Sequence, residues 1–321
     1  MKVLIVGGAG FIGSYVVDHL LAKNLASSVL VYDNFASGKQ WHLRQHAGDP
    51  RLTVWEKNIY DADIFKAAQG AELTVHLASN PDIARAATEP DIDFREGTAL
   101  TQIVLEAARK AACPYILYAS GSGVYGDTGT LTVAEDFTPM RPISTYGASK
   151  LAGEALICSY CAMFGLKAAV FRFGNVVGGR QTHGVAYDFL RKLRADPTQL
   201  EVMGNGTQSK PYIDVGDVVE AMFTAYRVQA EPFDVYNVAP DDFLSVREIV
   251  DIVLEELRIP PGQCAVRYGE QDRGWKGDVP IVRLNCERIH ALGWTNRHTS
   301  REAMRRAVKA MLTNVDQIAP T

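Results

Sequence analysis

The start of the chain is an apolar run that leads directly into a glycine-rich loop. Residues 2–6 are mostly branched aliphatic residues and predict a buried strand of a parallel sheet. Gly7, Gly10 and Gly13 follow with GxxGxxG spacing, and residues 14–21 continue as a predicted helix. Such glycines allow a tight turn and let the backbone approach a pyrophosphate at the helix N-terminus. Since this motif requires a strand before it and a helix after it, the sequence predicts a dinucleotide-binding unit.

A carboxylate at the end of the second predicted strand indicates which dinucleotide is bound. Residues 28–32 predict that strand, and Asp33 follows it. Asp33 lies ~20 residues past the glycine loop, where an acidic side chain can bind the ribose hydroxyls of NAD. A carboxylate there would repel the additional phosphate of NADP, and no arginine follows directly. The sequence therefore predicts NAD; the alternative is a solvated Asp at a strand end.

Strands alternate with helices through the first half of the chain. Further strands are predicted at residues 52–57, 74–78, 115–120 and 168–173, and long helices at 93–112 and 145–164. This alternation predicts an α/β fold with a Rossmann-type, doubly wound parallel sheet and right-handed crossovers. Ligands of such sheets bind at the carboxyl ends of the strands. The glycine loop, Asp33, Ala78 and Ser120 all fall at those ends.

After residue 174 the alternation of predicted strands and helices becomes irregular. Shorter helices are predicted within residues 187–193, 246–257 and 301–312, and residues 212–226 are expected to return to the sheet region. We expect residues 1–174, with return segments near 212–238, to form the NAD-binding domain. Residues 175–321 should mainly form a smaller C-terminal substrate-binding domain, with a cleft between the two.

Composition and charge exclude several classes of protein. The chain has 321 residues and a formal net charge of -4 at pH 7, which argues against binding to nucleic acid. Cys158 and Cys161 have CxxC spacing but lie inside a predicted helix, and no second pair supports a metal site. The five cysteines are interpreted as reduced thiols, which is typical of a cytoplasmic protein. No signal peptide is predicted, and no apolar stretch reaches the ~20 residues that a membrane helix needs.

Tyr146 and Lys150 are the strongest candidates for chemistry. Residues four apart lie on the same face of a helix, one turn from each other. A phenol has a pKa near ~10 in water, and a nearby ammonium group lowers it. The pair could therefore exchange a proton with a hydroxyl near neutral pH. The alternative is an exposed Tyr and Lys that only share a helix face.

Considered together, these motifs resemble the extended short-chain dehydrogenase/reductase family, and in particular the nucleotide-sugar epimerases of the UDP-glucose 4-epimerase type. The resemblance covers nearly the whole chain. Besides the glycine loop, Asp33, Tyr146 and Lys150, its markers are His76-Leu77-Ala78, Val124-Tyr125-Gly126, Arg172-Phe173-Gly174-Asn175-Val176 and Tyr212-Ile213-Asp214-Val215.

The resemblance implies a role for each matching residue. Tyr146 would be the acid and base, and Lys150 would hold the nicotinamide ribose and lower the pKa of Tyr146. Besides Tyr146 and Lys150, the cofactor would contact Gly7, Gly10, Phe11, Ile12, Gly13, Asp33, Asn34, Ser37, Gly38, Asn58, Ile59, Leu77, Ala78, Ser79 and Phe173. The nucleotide sugar would contact Asn80, Ser122, Asn175, Arg180, His183, Val185, Lys210, Tyr212 and Arg273. Lys210 and Arg273 are matched to cations that reach the diphosphate; the alternative for each is a solvated surface charge.

Several positions depart from the family's pattern. Gly121 stands where the family usually has a catalytic Ser or Thr, and Ser120 and Ser122 flank it. The sugar hydroxyl must then bind a neighbouring serine, water or Tyr146 alone. We expect Ser122 to be the substitute, because the glycines beside it permit it to swing towards Tyr146, and we expect Ser120 to be structural. Ser122 and Gly123 also occupy the places of the Asp-Glu pair of dehydratases, so elimination of water is not expected.

Two further positions differ from the usual residue. Asn58 replaces an Asp that commonly binds adenine, and an amide can serve there as acceptor and donor. Phe94 replaces the usual Asn of the helix at residues 93–112.

The sequence thus predicts an NAD-dependent epimerase that inverts C4 of a UDP-sugar through a transient 4-keto intermediate. A uronate 4-epimerase is one alternative, and it would need a cation such as Arg180, Arg85 or His183 for the sugar carboxylate. A nucleotide-sugar decarboxylase or reductase is another, and a non-catalytic dinucleotide sensor is a third. The helices at residues 93–112 and 145–164 could pair with those of a second copy, so the resemblance implies a homodimer through a four-helix bundle.

Overall fold

Strands occur along most of the chain, from residue 2 to residue 268. The structure is a computed structural model that describes residues 1–80 and 82–313. In chain order the strands are β1 (Lys2–Val6), β2 (Ser28–Asp33), β3 (Leu52–Glu56), β4 (Leu73–His76), β5 (Tyr115–Gly121), β6 (Lys167–Phe173), β7 (Asn175–Val177), β8 (Gln199–Val202), β9 (Ser209–Lys210), β10 (Tyr212–Asp214), β11 (Phe233–Val238), β12 (Leu244–Ser245) and β13 (Ala265–Tyr268).

Helices connect these strands and dominate the C-terminal region. They are α1 (Phe11–Ala22), α2 (Asp63–Ala67), α3 (Leu100–Lys110), α4 (Thr145–Phe164), α5 (Val185–Ala195), α6 (Val215–Val228), α7 (Val246–Glu256), α8 (Glu287–His290) and α9 (Ser300–Thr313). A π-helical segment, Phe94–Ala99, runs directly into α3, so the single helix predicted at residues 93–112 has two geometries. Three short 3₁₀ helices are Gln40–His46, Ile83–Ala87 and Ser122–Tyr125.

The central sheet has the strand order β11-β6-β5-β4-β1-β2-β3, and all of its strand pairs are parallel. The order reverses at β1, whose neighbours are β2 and β4. Open α/β sheets bind their ligands at such a reversal, beyond the carboxyl ends of the strands. The predicted doubly wound, Rossmann-type sheet is therefore confirmed, and its topology places the ligand site at the glycine loop.

One strand of the sheet was missed by sequence reasoning, and one segment lies elsewhere than expected. β11 pairs along its whole length with β6, although its sequence includes the polar residues Asp234 and Asn237. β10, expected near the sheet, instead forms a separate two-stranded pair with β7. α6, which follows β10, packs on α1, so this return segment covers one face of the sheet.

Apolar residues form three buried clusters. Two clusters cover the two faces of the sheet: Val17, Val31 and Phe171 belong to one, and Leu4, Val104 and Val170 to the other. The third cluster joins α5, α7 and α9 and contains the buried residues Leu190, Ile249 and Met304. The C-terminal region therefore has an apolar core of its own, as the smaller part of a two-domain α/β protein needs. Within the two described stretches of chain, no helix has the length and apolar character needed to cross a membrane.

Candidate active site

A cavity of about 810 Å³ lies at the carboxyl ends of the central strands, within the ~300–1,000 Å³ typical of ligand sites. Both halves of the chain line it. Of the residues singled out from the sequence, those that line it are Gly7, Gly10, Phe11, Ile12, Gly13, Asp33, Asn34, Ser37, Ile59, Leu77, Ala78, Ser79, Asn80, Ser120, Ser122, Tyr146, Lys150, Phe173, Asn175, His183, Val185, Lys210 and Tyr212. The residues that the structure places outside the lining are Gly38, Asn58, Arg180 and Arg273.

The glycine loop forms a cradle at one end of this cavity. Gly7 has φ +83°, and a Cβ atom added to it would lie 2.7 Å from the backbone nitrogen of Ala78. A Cβ added to Gly13 would lie 2.3 Å from the carbonyl oxygen of Gly7. Side chains are therefore excluded, and Gly10 caps the start of α1 with its backbone exposed to the cavity. A pyrophosphate fits this arrangement, because backbone N–H groups and the positive end of a helix dipole converge there.

Asp33 is held rigidly at the rim of the cradle. Its Oδ2 accepts a hydrogen bond from the backbone N–H of Ala9 at 2.9 Å, and its Oδ1 accepts one from Phe35 at 2.8 Å. Burial raises the pKa of Asp33, while these backbone donors lower it. Gly38 lies directly against the carboxylate, since a Cβ there would be 2.9 Å from Oδ1. A fixed carboxylate with acceptor capacity left on both oxygens matches the two hydroxyls of an unphosphorylated ribose.

The side-chain and backbone oxygens of Asn58 already accept hydrogen bonds from other residues of the protein. Its Oδ1 accepts a hydrogen bond from the backbone N–H of Tyr60 at 3.1 Å, and its carbonyl oxygen accepts one from the Tyr32 hydroxyl at 2.8 Å. Ile59, the next residue, lines the cavity instead.

Tyr146 and Lys150 project from the first turns of α4 into the same cavity. Ser144 caps this helix by accepting a hydrogen bond from the backbone N–H of Gly147 at 3.1 Å. Lys150 is only 3% exposed, and its Nζ donates to the carbonyl oxygen of Ala119 at 2.8 Å. The same Nζ lies 5.5 Å from the centre of the Tyr146 ring. The helix cap and the strand end of β5 therefore fix both side chains in the cavity that the glycine cradle also lines.

Burial dominates the electrostatics of this pair. It lowers the pKa of Lys150 to about 8, although the carboxylates of Glu154 and Asp93 act in the opposite direction. Burial also raises the pKa of Tyr146, and Asp93 adds to that, whereas a hydrogen bond with Ser79 lowers it. The sequence predicted that Lys150 would lower the pKa of Tyr146. The net direction is opposite because loss of solvation in the cavity outweighs nearby charge, a property that helix spacing does not reveal.

The serines beside Gly121 have different surroundings. The buried Ser120 donates its hydroxyl hydrogen to Oε1 of Glu154, which also pairs with Arg172 at 2.7 Å. Ser122 begins a 3₁₀ turn and lines the cavity. A Cβ added to Gly121 would have no atom within 4 Å. The position where the family's hydroxyl would stand is therefore open space.

The basic residues matched to the diphosphate are already paired with carboxylates. Nζ of Lys210 lies 2.6 Å from Oδ1 of Asp278 at the cavity wall. Arg273 lies outside the lining and donates to Oδ2 of Asp127 at 2.6 Å and to the carbonyl oxygen of Asp278 at 2.9 Å. Arg180 pairs with Asp18 at 2.7 Å.

The remaining substrate candidates line the opposite wall. The hydroxyl of the buried Tyr212 hydrogen-bonds with Asn175, which pairs with it across the β7–β10 ladder. Burial lowers the pKa of His183, which also lines an adjoining cavity of about 540 Å³ together with Trp41, Tyr187 and Trp275. The described residues contain no group of three or more His, Cys, Asp or Glu side chains that could hold a metal ion.

Three carboxylates bind side chains of this site, although the sequence did not identify them as site residues. Asp93 accepts a hydrogen bond from Asn80 at 2.8 Å, Glu154 binds Ser120 and Arg172, and Asp278 binds Lys210. Each partner is at least 13 positions away in the chain, so local periodicity could not identify these contacts. A sequence signal exists only for Asp93 and Glu154, which are charged residues on the otherwise buried faces of predicted helices.

The fold and the cavity together define a dinucleotide-dependent enzyme of the α/β class. The chain belongs to the NAD-dependent epimerase/dehydratase family, whose sequence profile matches residues 3–239. This family membership also confirms the resemblance to the extended short-chain dehydrogenases/reductases and the use of NAD.

Similar proteins include epimerases and dehydratases. A putative UDP-glucose 4-epimerase of Methanocaldococcus jannaschii is 30% identical over 97% of this chain and 99% of its own length. A crystal structure of a UDP-galactose 4-epimerase is 34% identical, with a TM-score of 0.85 over 98% of this chain and 100% of that one. A dTDP-glucose 4,6-dehydratase of Streptomyces griseus is 30% identical over 92% of this chain and 94% of its own length.

Proposed function

We propose that this protein is an NAD-dependent epimerase that inverts C4 of a UDP-sugar through a transient 4-keto sugar. The observation that carries the proposal is that Tyr146 and Lys150 line the same cavity as the glycine cradle, with Lys150 anchored at the end of β5. A sugar lying between this pair and the cradle would have its hydroxyl beside the phenol. The names of the similar UDP-glucose and UDP-galactose 4-epimerases support the choice of sugar nucleotide.

In this mechanism Tyr146 takes the proton of the sugar 4-hydroxyl and later returns it. The glycine loop and Asp33 would hold NAD, which would supply reversible hydride acceptance at C4. Lys150 orients the site, because its ammonium group is anchored on the carbonyl oxygen of Ala119 and keeps further N–H donors for a ribose hydroxyl. The keto sugar must turn over within the cavity before hydride returns to its other face. The residues that bind the nucleotide therefore hold the substrate while the sugar remains free to rotate.

Asn175, Tyr212 and Lys210 are the residues that we assign to the nucleotide diphosphate. All three lie on the wall formed by β7, β9 and β10, in the C-terminal part of the cavity. Lys210 supplies the positive charge, and a diphosphate would compete with Asp278 for it. The assignment of residues 1–174 to cofactor and of residues 175–321 mainly to substrate is part of this proposal; residues 314–321 lie outside the described part of the chain.

The dehydratase among the similar proteins makes elimination of water the main competing reaction. That reaction needs an acid and a base beside the sugar C5–C6 bond. Ser122 and Gly123 occupy the expected places of those carboxylates, and neither can donate or accept a proton as a carboxylate does. This local difference favours epimerisation.

The test is proton NMR of UDP-glucose, UDP-galactose, their uronates and dTDP-glucose, each incubated with the purified protein and NAD. Interconversion of the glucose and galactose anomeric signals is expected, with none in the Tyr146→Phe variant. Preferential turnover of the uronates would indicate that Arg85 or His183 binds a sugar carboxylate. A 4-keto-6-deoxy product would replace the epimerase proposal with a dehydratase, and NAD binding without any product would leave a dinucleotide sensor.

We further propose that the protein is a cytoplasmic homodimer that pairs α3 and α4 with those of a second copy. Phe94 is 63% exposed and Met163 is 71% exposed, and they flank these two helices. Burying such side chains is favourable by ~25 cal/mol per Å² of apolar area. Light scattering should give twice the 35.2 kDa chain mass, and a Met163→Glu variant should dissociate. A monomeric native protein would contradict this assembly.

A further inference from the structure

The site lacks a hydroxyl at the position where the family's pattern has one, and neither neighbour in sequence clearly supplies it. Gly121 faces open space. The Ser120 hydroxyl is committed to Glu154 in the buried pair with Arg172. Any hydroxyl that assists Tyr146 must therefore come from Ser122 or from another strand end.

Ser79 is such a residue, and it lies at the end of the adjacent strand. β4 ends at His76, and Ser79 follows it into the cavity that Tyr146 lines. Ser79 and Tyr146 line the same cavity, and the interaction of the Ser79 side chain with the phenol lowers the pKa of Tyr146. Since β4 and β5 are neighbours in the sheet, Ser79 reaches the phenol from the strand next to the one that carries Gly121.

A buried clamp fixes Ser79 beside Tyr146. Nδ2 of Asn80 donates to Oδ1 of Asp93 at 2.8 Å, and the Thr145 hydroxyl donates to Oδ2 of Asp93 at 2.7 Å. Asn80 is 3% exposed and Asp93 is 1% exposed. Asn80 directly follows Ser79 and Thr145 directly precedes Tyr146, so one carboxylate ties the two backbones together. This built geometry distinguishes Ser79 from a serine that merely lies nearby.

We propose that Ser79 is the catalytic hydroxyl of this enzyme, taking the role that a Ser or Thr at position 121 would otherwise have. The inference rests on the proposed epimerase function. The Ser79 O–H donates a hydrogen bond to the Tyr146 phenolate oxygen while that oxygen accepts the proton of the sugar 4-hydroxyl. In the return step Tyr146 gives the proton back to the 4-oxygen, and Ser79 keeps its own proton throughout. Ser79 thus stabilises the charged form of the base without being consumed.

The surroundings of Tyr146 explain why such a donor is needed. Burial and the Asp93 carboxylate both raise the pKa of the phenol, and the hydrogen bond with Ser79 opposes them. Lys150 on the same helix and Tyr118 on β5 are the other titratable groups in contact with this position. The other charged residues that line the cavity are Asp33, Lys57, Asp82, Arg85, Arg95, Glu96, Lys210 and Asp278.

The experiment compares Ser79→Ala, Ser79→Thr, Ser122→Ala and the double variant Ser79→Ala/Gly121→Ser. Ser159→Ala is the matched control. Ser159 is an exposed serine of α4, the helix that carries Tyr146, and its hydroxyl donates to the carbonyl oxygen of Ala155. Two quantities are measured: kcat across pH, and the titration of the Tyr146 resonance in protein labelled with ¹³C at tyrosine Cζ. Tyr146→Phe assigns that resonance.

Ser79→Ala should lower kcat at neutral pH by roughly 10- to 100-fold, the effect of losing a hydrogen bond to a charged group. The acidic limb of its pH profile and the Tyr146 titration should both move to higher pH by about one unit. Ser79→Thr should retain most activity. The added serine of the double variant should recover part of the loss, because Gly121 has extended backbone (φ −164°) and room for a side chain.

Two results would overturn the proposal: Ser79→Ala with kcat within twofold of the native value and an unshifted titration, or the loss and the shift occurring in Ser122→Ala instead. A merely structural role would lower activity without moving the titration. If the native protein epimerises no sugar, the titration still decides whether Ser79 stabilises the phenolate, so failure of the proposed function is distinguishable.

Discussion

The two ends of the cavity hold their polar and charged groups in different ways. At the cofactor end, backbone atoms form the cradle, and Asp33 is fixed by N–H groups of Ala9 and Phe35. At the end that we assign to the substrate, Lys210 is paired with the carboxylate of Asp278. The cofactor end is therefore complete before its ligand arrives. The substrate end has to exchange an ion pair for a ligand contact.

This difference determines how each end responds to substitution. A preformed backbone cradle responds mainly to steric change, since it has no side chain to remove. An ion pair that opens for a ligand responds to the balance of two charges, because the free energy of binding is reduced by the free energy of breaking the pair. The Tyr–Lys pair lines the same cavity as both ends, and we assign proton exchange with the sugar to Tyr146.

The largest effect is expected at the Tyr–Lys pair. Tyr146→Phe removes the proton carrier while keeping the ring, so turnover should fall by roughly 10²–10⁴-fold. NAD affinity, measured by isothermal titration, should stay within about threefold because the cradle is untouched. A variant that keeps more than half of the native activity would show that Tyr146 is not the base.

Steric change at the cofactor end comes next. In Gly13→Ala the new Cβ would lie 2.3 Å from the carbonyl oxygen of Gly7, so the loop must shift, at a cost of ~1–3 kcal/mol. NAD affinity should fall by about 10- to 100-fold. Gly123→Ala is the control at the substrate end, because its Cβ would have an ordinary contact of 3.6 Å with Gly147. Equal loss of NAD affinity in both variants would mean that the cradle does not hold the pyrophosphate.

Cofactor choice tests the fixed carboxylate. Because Asp33 is held in place, it cannot turn away from a 2′-phosphate, and NAD should bind at least about tenfold more tightly than NADP. Reconstitution of the apoprotein with each cofactor measures this ratio. In Asp33→Ser the repulsion is removed and the two affinities should converge. A native protein that binds both cofactors equally would show that Asp33 does not face the ribose.

The contrast between the two ends also explains what the sequence could predict. β1, the glycine loop and α1 are contiguous, so local pattern determines them, and so does the one-turn spacing of Tyr146 and Lys150. The pairing of β11 with β6 includes the polar residues Asp234 and Asn237, and it depends on the completed sheet. The contacts of Asp93 with Asn80 and Thr145, and of Lys210 with Asp278, are likewise tertiary. Burial of Tyr146 reverses an expectation that had considered only the charge of Lys150.

The smallest effects are expected at the substrate end, and they should have opposite signs. Lys210→Met removes a cation from the diphosphate contact and should raise KM by about tenfold, with kcat nearly unchanged. Asp278→Asn instead releases Lys210 and should lower KM by about two- to fivefold, because the diphosphate no longer competes with a carboxylate for the ammonium group. The amide oxygen of Asn can still accept the hydrogen bond that Oδ2 of Asp278 accepts from the backbone N–H of Gly274 at 3.0 Å, so the loop should persist. Initial rates across UDP-sugar concentrations measure both variants. If both variants raise KM, Asp278 organises the site rather than competing with the ligand, and the substrate end is as preformed as the cofactor end.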